Sequence, residues 1–513
     1  MTQSEEKEAK RPVREPSLLD AFIPLITLIV LIGGAILLFG LQALDGPIPA
    51  ALVVCSMVAM LVIFKNGHSV DEVQEAANRA MSSITTAIFI LLAVGALIGT
   101  WCLSGTIPTL VYYGISVLSP GWYYAASTLI CGIIALSIGS SWTTAGTIGV
   151  GLVGIAQMLG VSTSITAGAV ISGAYLGDKL SPLSETTILT AQMVDVKVLD
   201  HIRRQAWTSV PAFLIGFVLF FVIGLRTPTA AGIDTAVELK ELDQVFNITV
   251  WNLLPLVVLV VLSVRKVPPA MALMAAAILA GIMAPFTQPG VVRTFADAPG
   301  ASLAEAGLRA AWRAIARGFS IESGYADIDR LLSRGGMYSM LLTLWLIMGA
   351  VTFGTLLDEF GLIKRLIDPM VRAAKSTGML FFTVFASAFG LNIIAGDQYI
   401  ALVLPARTFK AEFAKRGIHP TALSRLCADS GTVTSPLVPW NSCGAFMSAV
   451  LGVSTWAYLP FCFFNIASPL LSVLYGFTGF KVERTAPQEV ETTPAQPAGG
   501  VESAPAKHAE AAD

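Results

Sequence analysis

The sequence predicts an all-α polytopic membrane protein made of two inverted-topology repeats, each interrupted by discontinuous (broken) helices. Three observations carry that expectation. Apolar runs of bilayer length recur along the chain, polar and proline-broken stretches interrupt them at residues 173–187 and 428–444, and short motifs recur at a spacing of 254 to 257 positions.

Of 513 residues, 55% are hydrophobic and only 13% are Asp, Glu, Lys or Arg. An ordinary soluble protein carries roughly 25% charged residues. A spanning helix takes about 20 residues at about 1.5 Å of rise each. Apolar runs suited to that role cover residues 21–43, 48–64, 84–102, 122–138, 210–225, 251–264, 270–285, 337–357, 379–395 and 458–475. The six cysteines fall in or beside these runs without a CxxC pair, so neither a disulfide framework nor a zinc site is expected. The charged start is too long, and the first span too extended, for a cleavable signal peptide. The tail lacks large apolar residues and is expected to be disordered.

An internal repeat organises the spans. Met81-Ser82-Ser83 and Met337-Tyr338-Ser339 each open an apolar run, 256 positions apart, and Gly105 and Gly361 close those runs at the same offset. Ser181-Pro182 and Ser435-Pro436 follow at an offset of 254. Charge then sets the direction of each copy, because cytoplasmic loops carry excess Lys and Arg. Residues 101–121 hold no charge, whereas their counterparts at 362–377 hold Lys364, Arg365, Arg372 and Lys375 against Asp368. Residues 150–166 are uncharged, while 407–419 hold Arg407, Lys410, Lys415 and Arg416 against Glu412. Beyond the breaks the bias reverses: residues 195–204 carry Lys197, Arg203 and Arg204 beside Asp195 and Asp200, and residues 451–459 carry none. Opposite bias in equivalent loops is what an inverted repeat predicts. The acidic connector (Asp234, Glu238, Glu241 and Asp243 against Lys240) then lies outside. Residues 288–336 also lie outside despite their arginines, with an interfacial helix marked by Leu303, Leu308, Ala311 and Ile315.

The resulting organisation is a polar cytoplasmic N-terminus at 1–17, N-terminal transmembrane helices at 18–64, and a first repeat at 65–227. A connector with an external loop and transmembrane helices at 228–320 leads to a second repeat at 321–480 and a disordered cytoplasmic tail at 481–513.

Ionisable groups and broken helices at membrane depth are costly and mark a solute path. In the first break, Asp178 needs a cation, a proton or a cage of hydrogen bonds, and Ser181, Ser184, Thr186 and Thr187 crowd it with hydroxyls. Carbonyls freed by Pro182 add hard oxygen donors, which suit Na+. Lys179 either neutralises its neighbour or is displaced when a cation binds, and a structural Asp178–Lys179 pair at a helix end is the alternative. Glu185 lies beyond the break, toward the cytoplasm. In the second break, Asp429 sits among Ser430, Thr432, Thr434 and Ser435. Pro436 and Pro439 interrupt the helix, and Asn441 and Ser442 follow as ligands or as caps of the next half-helix. Arg425, four residues earlier, is the i,i+4 candidate partner of Asp429. Residues 139–144 and 392–398 occupy matching places in the two copies and supply Ser141, Thr143, Asn392 and Asp397. Asp397 has no neighbouring cation in sequence, while small polar residues also serve helix packing. The predicted binding set is therefore Asp178, Lys179, Ser181, Glu185, Thr186, Ser141, Thr143, Asn392, Asp397, Asp429, Thr434, Ser435 and Asn441, with Asp178, Asp397 and Asp429 as the sodium carboxylates.

The stretches GAYLGDKLSPLSETT and DSGTVTSPLVPWNSCGAFMSAVLGV resemble the two signatures of the NhaC family of sodium/proton antiporters, within the ion transporter superfamily. The resemblance covers residues 18–475 and implies that superfamily's fold, with sodium exchanged for protons at carboxylates that hold one or the other. Glu185 stands where the family pattern has Asp, which makes direct coordination there less secure. The family also holds proposed carriers of organic acids and amino acids. Proton- or sodium-coupled transport of such a solute is the alternative expectation, with Lys179 and Arg425 meeting a substrate carboxylate.

No GxxxxGK[ST], HExxH or GxSxG motif is present, so neither an ATPase nor an intramembrane hydrolase is expected. The four histidines, His68, His201, His419 and His508, fall in predicted loops or the tail. Sodium ions, protons and the lipid bilayer are the expected partners, with no nucleic acid and no resident cofactor, and a homodimer is an open assembly. The expected location is the inner (cytoplasmic) membrane, with both termini cytoplasmic.

Overall fold

The computed structural model describes residues 13–226 and 235–486. Most of the charged start, Asp234 of the connector and the tail beyond residue 486 lie outside the described residues. Those described are helical almost throughout, with one antiparallel bridge, between Ile418 and Arg484, as the β pairing among them.

Helix α1 (Leu18–Phe39) opens at Ser17, whose hydroxyl accepts the Asp20 amide while the Asp20 carboxylate accepts the Ser17 amide at 2.9 Å. The same carboxylate takes Lys65 at 2.6 Å from the end of α2 (Pro47–Lys65), tying the hairpin at one membrane face. Only a stripe of α1, through Ala21, Leu28 and Ile32, is buried, and Ile29, Val30 and Leu37 point outward. Such a surface is a liability in water and a fit in lipid.

Helix α3 (Val70–Ser83) is amphipathic and presses Val73, Ala76 and Ala80 inward. Helix α4 (Thr85–Leu103) is buried along most of its length and ends at Gly105, in the left-handed region at φ 78°. Then come α5 (Thr106–Val117) and α6 (Tyr123–Ile138). After α6 a short α7 (Ser141–Thr144) runs through a π-turn, Ala145–Gly149, into α8 (Val150–Met158). Next are α9 (Thr163–Leu180), α10 (Glu185–Met193) and the long α11 (Val198–Arg226).

Helices α6 and α9 pack at very close range because α9 presents small residues. A methyl group on Gly177 would run into the Ala135 backbone, and one on Gly173 into the Thr128 carbonyl. Thr128 Oγ1 also donates to the Ala169 carbonyl at 3.1 Å. Small residues let helix backbones approach where lipid offers no hydrophobic drive for association. This contact places the end of α9 beside the start of α7.

The connector contains α12 (Thr235–Val245), α13 (Leu254–Val264), α14 (Pro269–Thr287), α15 (Pro289–Ala296), α16 (Leu303–Arg317) and α17 (Ala326–Leu332). The helix expected through Leu303, Leu308, Ala311 and Ile315 is present, but a different face is buried. Ala306, Gly307, Ala310 and Ala314 pack inward and Leu308 points out. Small residues win that face because α16 lies close over α4 and α14, with Gly307 against the Pro285 ring.

The second half continues with α18 (Leu341–Glu359), the left-handed Gly361 at φ 74°, α19 (Leu362–Ala373), α20 (Thr377–Ile394) and α21 (Gln398–Lys415). Helix α22 (Pro420–Cys427) enters a second π-turn, Ala428–Thr432, before α23 (Ser442–Leu451), α24 (Thr455–Tyr458) and α25 (Phe463–Thr478). The apolar run at 458–475 is therefore not one span. The chain bends by 90° between 442–451 and 455–461, and α25 begins only after Pro460.

Among the described residues, seven helices are long and apolar enough to cross a membrane, or up to nine if each of two bent pairs counts as a span. The protein is a multi-pass membrane protein.

Candidate functional site

Asp178 lies in the last turn of α9, and three hydroxyls close around its carboxylate. Ser141 Oγ donates to Oδ2 at 2.7 Å, Ser184 Oγ to Oδ1 at 2.6 Å, and Thr186 Oγ1 to Oδ1 at 3.3 Å. The sequence builds this cage locally. Pro182 stops α9, and Ser184 then caps α10 by accepting the Thr187 amide. Gly139, left-handed at φ 78°, ends α6 so that Ser140 can cap α7 and Ser141 can face Asp178. Thr187 Oγ1 donates to the carbonyls of Asp178 and Lys179 at 2.9 and 3.1 Å, occupying two that the break frees.

Asp178 opens onto a cavity of ≈ 840 Å³ that Asp397 also lines. Asp397 caps α21, accepting the Ile400 amide at 3.0 Å. Glu185, Asp358 and Glu359 add three more acids to the cavity, against Arg79 and Lys266 as its basic residues. Five acids against two bases give the cavity a formal excess of negative charge when all are ionised. Arg79 and Glu359 meet in a two-pronged ion pair at 2.8 and 2.5 Å that joins α3 to α18 at the cavity wall. That carboxylate holds the Arg79 guanidinium above its already high range. Thr143 lines the same space, its hydroxyl donating to Ser140 Oγ at 3.1 Å.

Lys179 and Asp429 are elsewhere. Neither lines the cavity, and each is fully buried, in an ion pair with the other. Gln205 Nε2 and Ser468 Oγ also donate to Asp429 Oδ1, at 2.8 and 2.7 Å. Asp429 sits in the second π-turn. Such turns are rare and concentrate at functional sites. Arg425, the expected partner of Asp429, instead reaches the Lys481 carbonyl at 3.4 Å and lies over the Tyr475 ring.

The remaining predicted residues tie backbone and side chains together at the two breaks. Asn392 Nδ2 donates to the Gly431 carbonyl at 2.7 Å and to Thr434 Oγ1 at 2.9 Å. Asn441 caps α23 and donates to Asn392 Oδ1 at 3.0 Å. Ser435 Oγ donates to the Thr432 carbonyl at 2.7 Å, and Ser181 Oγ accepts the Leu183 amide at 3.3 Å. Thus Asp178, Ser141, Thr186, Thr143, Asp397 and Glu185 gather at one cavity. Lys179 with Asp429, and Asn392 with Thr434 and Asn441, form separate buried groups.

The profile of the Na+/H+ antiporter family matches residues 13–203 and 173–480. The chain is 37% identical to the Na(+)/H(+) antiporter NhaC of Alkalihalophilus pseudofirmus, over 84% of its own length and 90% of that protein. The chain belongs to the NhaC family of Na+/H+ antiporters. The chain is also 35% identical to the malate-2H(+)/Na(+)-lactate antiporter of Bacillus subtilis, over 90% of its own length and 96% of that protein. The arginine/ornithine antiporter ArcD of Halobacterium salinarum is 32% identical over 93% and 95%. The relatives are transporters.

For this NhaC-family protein, sequence reasoning passed over Gln205 and Ser468 as partners of Asp429. Each had a signal. Gln205 is an amide on a spanning helix, and Ser468 precedes Pro469 in an apolar one. A polar group in either place needs a partner. His201 was expected in a loop. It is buried in α11 with Nδ1 2.9 Å from Ser424 Oγ, because α11 begins at Val198 and carries the basic stretch into the helix.

Proposed function

We propose that the chain exchanges sodium for protons across the cytoplasmic membrane by alternating access, and that Asp178 is the carboxylate where the two compete. The observation that carries this reading is the hydroxyl cage of Asp178, opening onto an acidic cavity. A desolvated carboxylate is costly when ionised and bare. Sodium satisfies it through Asp178 with the Ser141 and Ser184 oxygens, and a proton satisfies it by neutralising it. Two such occupants exclude each other, which couples their movements. Asp397, on the same cavity, is the second carboxylate on the ion's route. In this reading the two halves of the chain insert in opposite directions and both termini lie in the cytoplasm. The cavity, lined by Arg79, Lys266 and Glu185 on the cytoplasmic side of the first break, then opens inward.

A cavity of ≈ 840 Å³ also has room for a small organic solute. The names of the malate/lactate and arginine/ornithine relatives supply candidates. Its five acids and two bases favour a cationic solute over a dicarboxylate. The test is proton movement in everted vesicles. Sodium alone should evoke it, Asp178→Asn should abolish it, and Asp397→Asn should weaken it. Proton movement evoked only by malate, lactate or arginine would replace this reading with the organic-solute one.

A further inference from the structure

The structure assigns a second alkali-cation position to the buried nest around Asp429, held in this conformation by the ammonium of Lys179. This inference rests on the cation-exchange reading and adds a site to it, built from residues outside the cavity.

The nest is asymmetric. Asp429 Oδ1 accepts from Lys179, Gln205 and Ser468, whereas Oδ2 has no hydrogen-bond partner. Gln205 Oε1 is likewise buried without a partner, and so is Asn465 Oδ1, one turn from Ser468 on the same face of α25. These three oxygens only accept. Buried acceptors are normally satisfied, so an unsatisfied carboxylate oxygen, with unsatisfied amide oxygens on Gln205, which bonds the same carboxylate, and on Asn465, one turn from Ser468, calls for a donor or a cation. Lys179 shows that the nest takes a monovalent cation: its ammonium is held by Asp429, by Ser468 Oγ at 2.7 Å and over the Phe464 ring at 5.3 Å. One carboxylate neutralises one such charge. An alkali ion and the lysine therefore occupy the nest in turn, the ion through hard oxygens that suit sodium. Two nitrogens of Arg425, Nε and Nη2, also lack partners, so a water bridge from them to Asp429 is the competing occupant.

Binding of radioactive sodium to the purified full-length protein separates the possibilities. Wild type should bind one equivalent, lost in Asp178→Asn. Lys179→Met removes the tethered competitor at similar volume and should add a second equivalent. That second equivalent should survive Asp178→Asn and disappear with Gln205→Leu. Should Lys179→Met not fold, Gln205→Glu gives the nest a second negative charge, so that sodium binds beside the lysine and again adds an equivalent. If neither variant binds more sodium than wild type, water serves the nest and the second position is refuted. In that outcome, a single equivalent abolished by Asp178→Asn leaves the exchange reading standing, and no sodium bound by any form removes both.

Discussion

Lys179 and Asp429, which stand in the two broken segments 250 positions apart, meet as a fully buried ion pair between the two halves of the chain. It cross-links the end of α9 to the π-turn after α22, so neither break can move without stretching or releasing it. Removing one partner of such a pair leaves an uncompensated charge in a dry site.

Removing either partner alone should therefore be more damaging than removing both. In buffer without alkali cations, Lys179→Met and Asp429→Asn should each cost about 3–5 kcal/mol of stability, and the double variant should recover at least half of either loss. Thermal unfolding in detergent reads the cycle. Additive losses would mean that the two charges do not depend on each other. Sodium should raise the melting temperature of Lys179→Met more than that of wild type, since the ion can take the place of the lost ammonium.

The cage around Asp178 makes a narrower prediction. Ser141 and Ser184 give it bonds of 2.7 and 2.6 Å, and hydrogen bonds to charged groups contribute about 1.5–3 kcal/mol. Ser141→Ala should raise the sodium concentration for half-maximal exchange about tenfold, the equivalent of about 1.4 kcal/mol. Ser181→Ala should shift it much less, because Ser181 holds the Leu183 amide rather than the carboxylate. Equal shifts in the two variants would move the binding position away from Asp178.

What the sequence revealed and what it hid divide along one physical line. Spans, breaks and the charged residues within them were legible because each is a local violation of what a bilayer tolerates. Asp178 and Asp429 stood out in this way, while Gly105 and Gly361 stood out through their repeat spacing, and both are left-handed in the structure. Partner choice was not legible. Lys179 is adjacent to Asp178 yet pairs with Asp429, since neighbours on a helix point about 100° apart. Arg425 has i,i+4 spacing to Asp429 and still reaches the Lys481 carbonyl. The burial of Gln205, His201 and Ser468 depends on how α11, α22 and α25 pack, which no local pattern records.

The closeness of α6 and α9 can be tested through Gly177. A Cβ there meets the Ala135 backbone, which cannot yield as a flexible side chain can. Gly177→Ala should cost about 1–3 kcal/mol, as overpacking does, and should lower exchange more than tenfold by moving Asp178 from Ser141. Gly33→Ala, where nothing lies within 4 Å, is the control and should leave both unchanged. A neutral Gly177→Ala would mean that the helices can separate without disturbing the cage.

The proposed opposite insertion of the two copies would have a direct consequence for residues related by the repeat. Ser119 and Lys375 lie 256 positions apart, at equivalent places after the first span of each copy, and both are exposed. The six native cysteines are all buried, so a membrane-impermeant maleimide meets little background. The charge asymmetry predicts the uncharged loop at 101–121 outside and the basic stretch at 362–377 inside. Ser119→Cys should therefore label in intact cells and be protected in everted vesicles, and Lys375→Cys should do the reverse. Labelling from the same side would make the two copies parallel. The two broken segments would then enter the membrane from one face, and the Lys179–Asp429 pair would join like ends of the repeat instead of opposite ones.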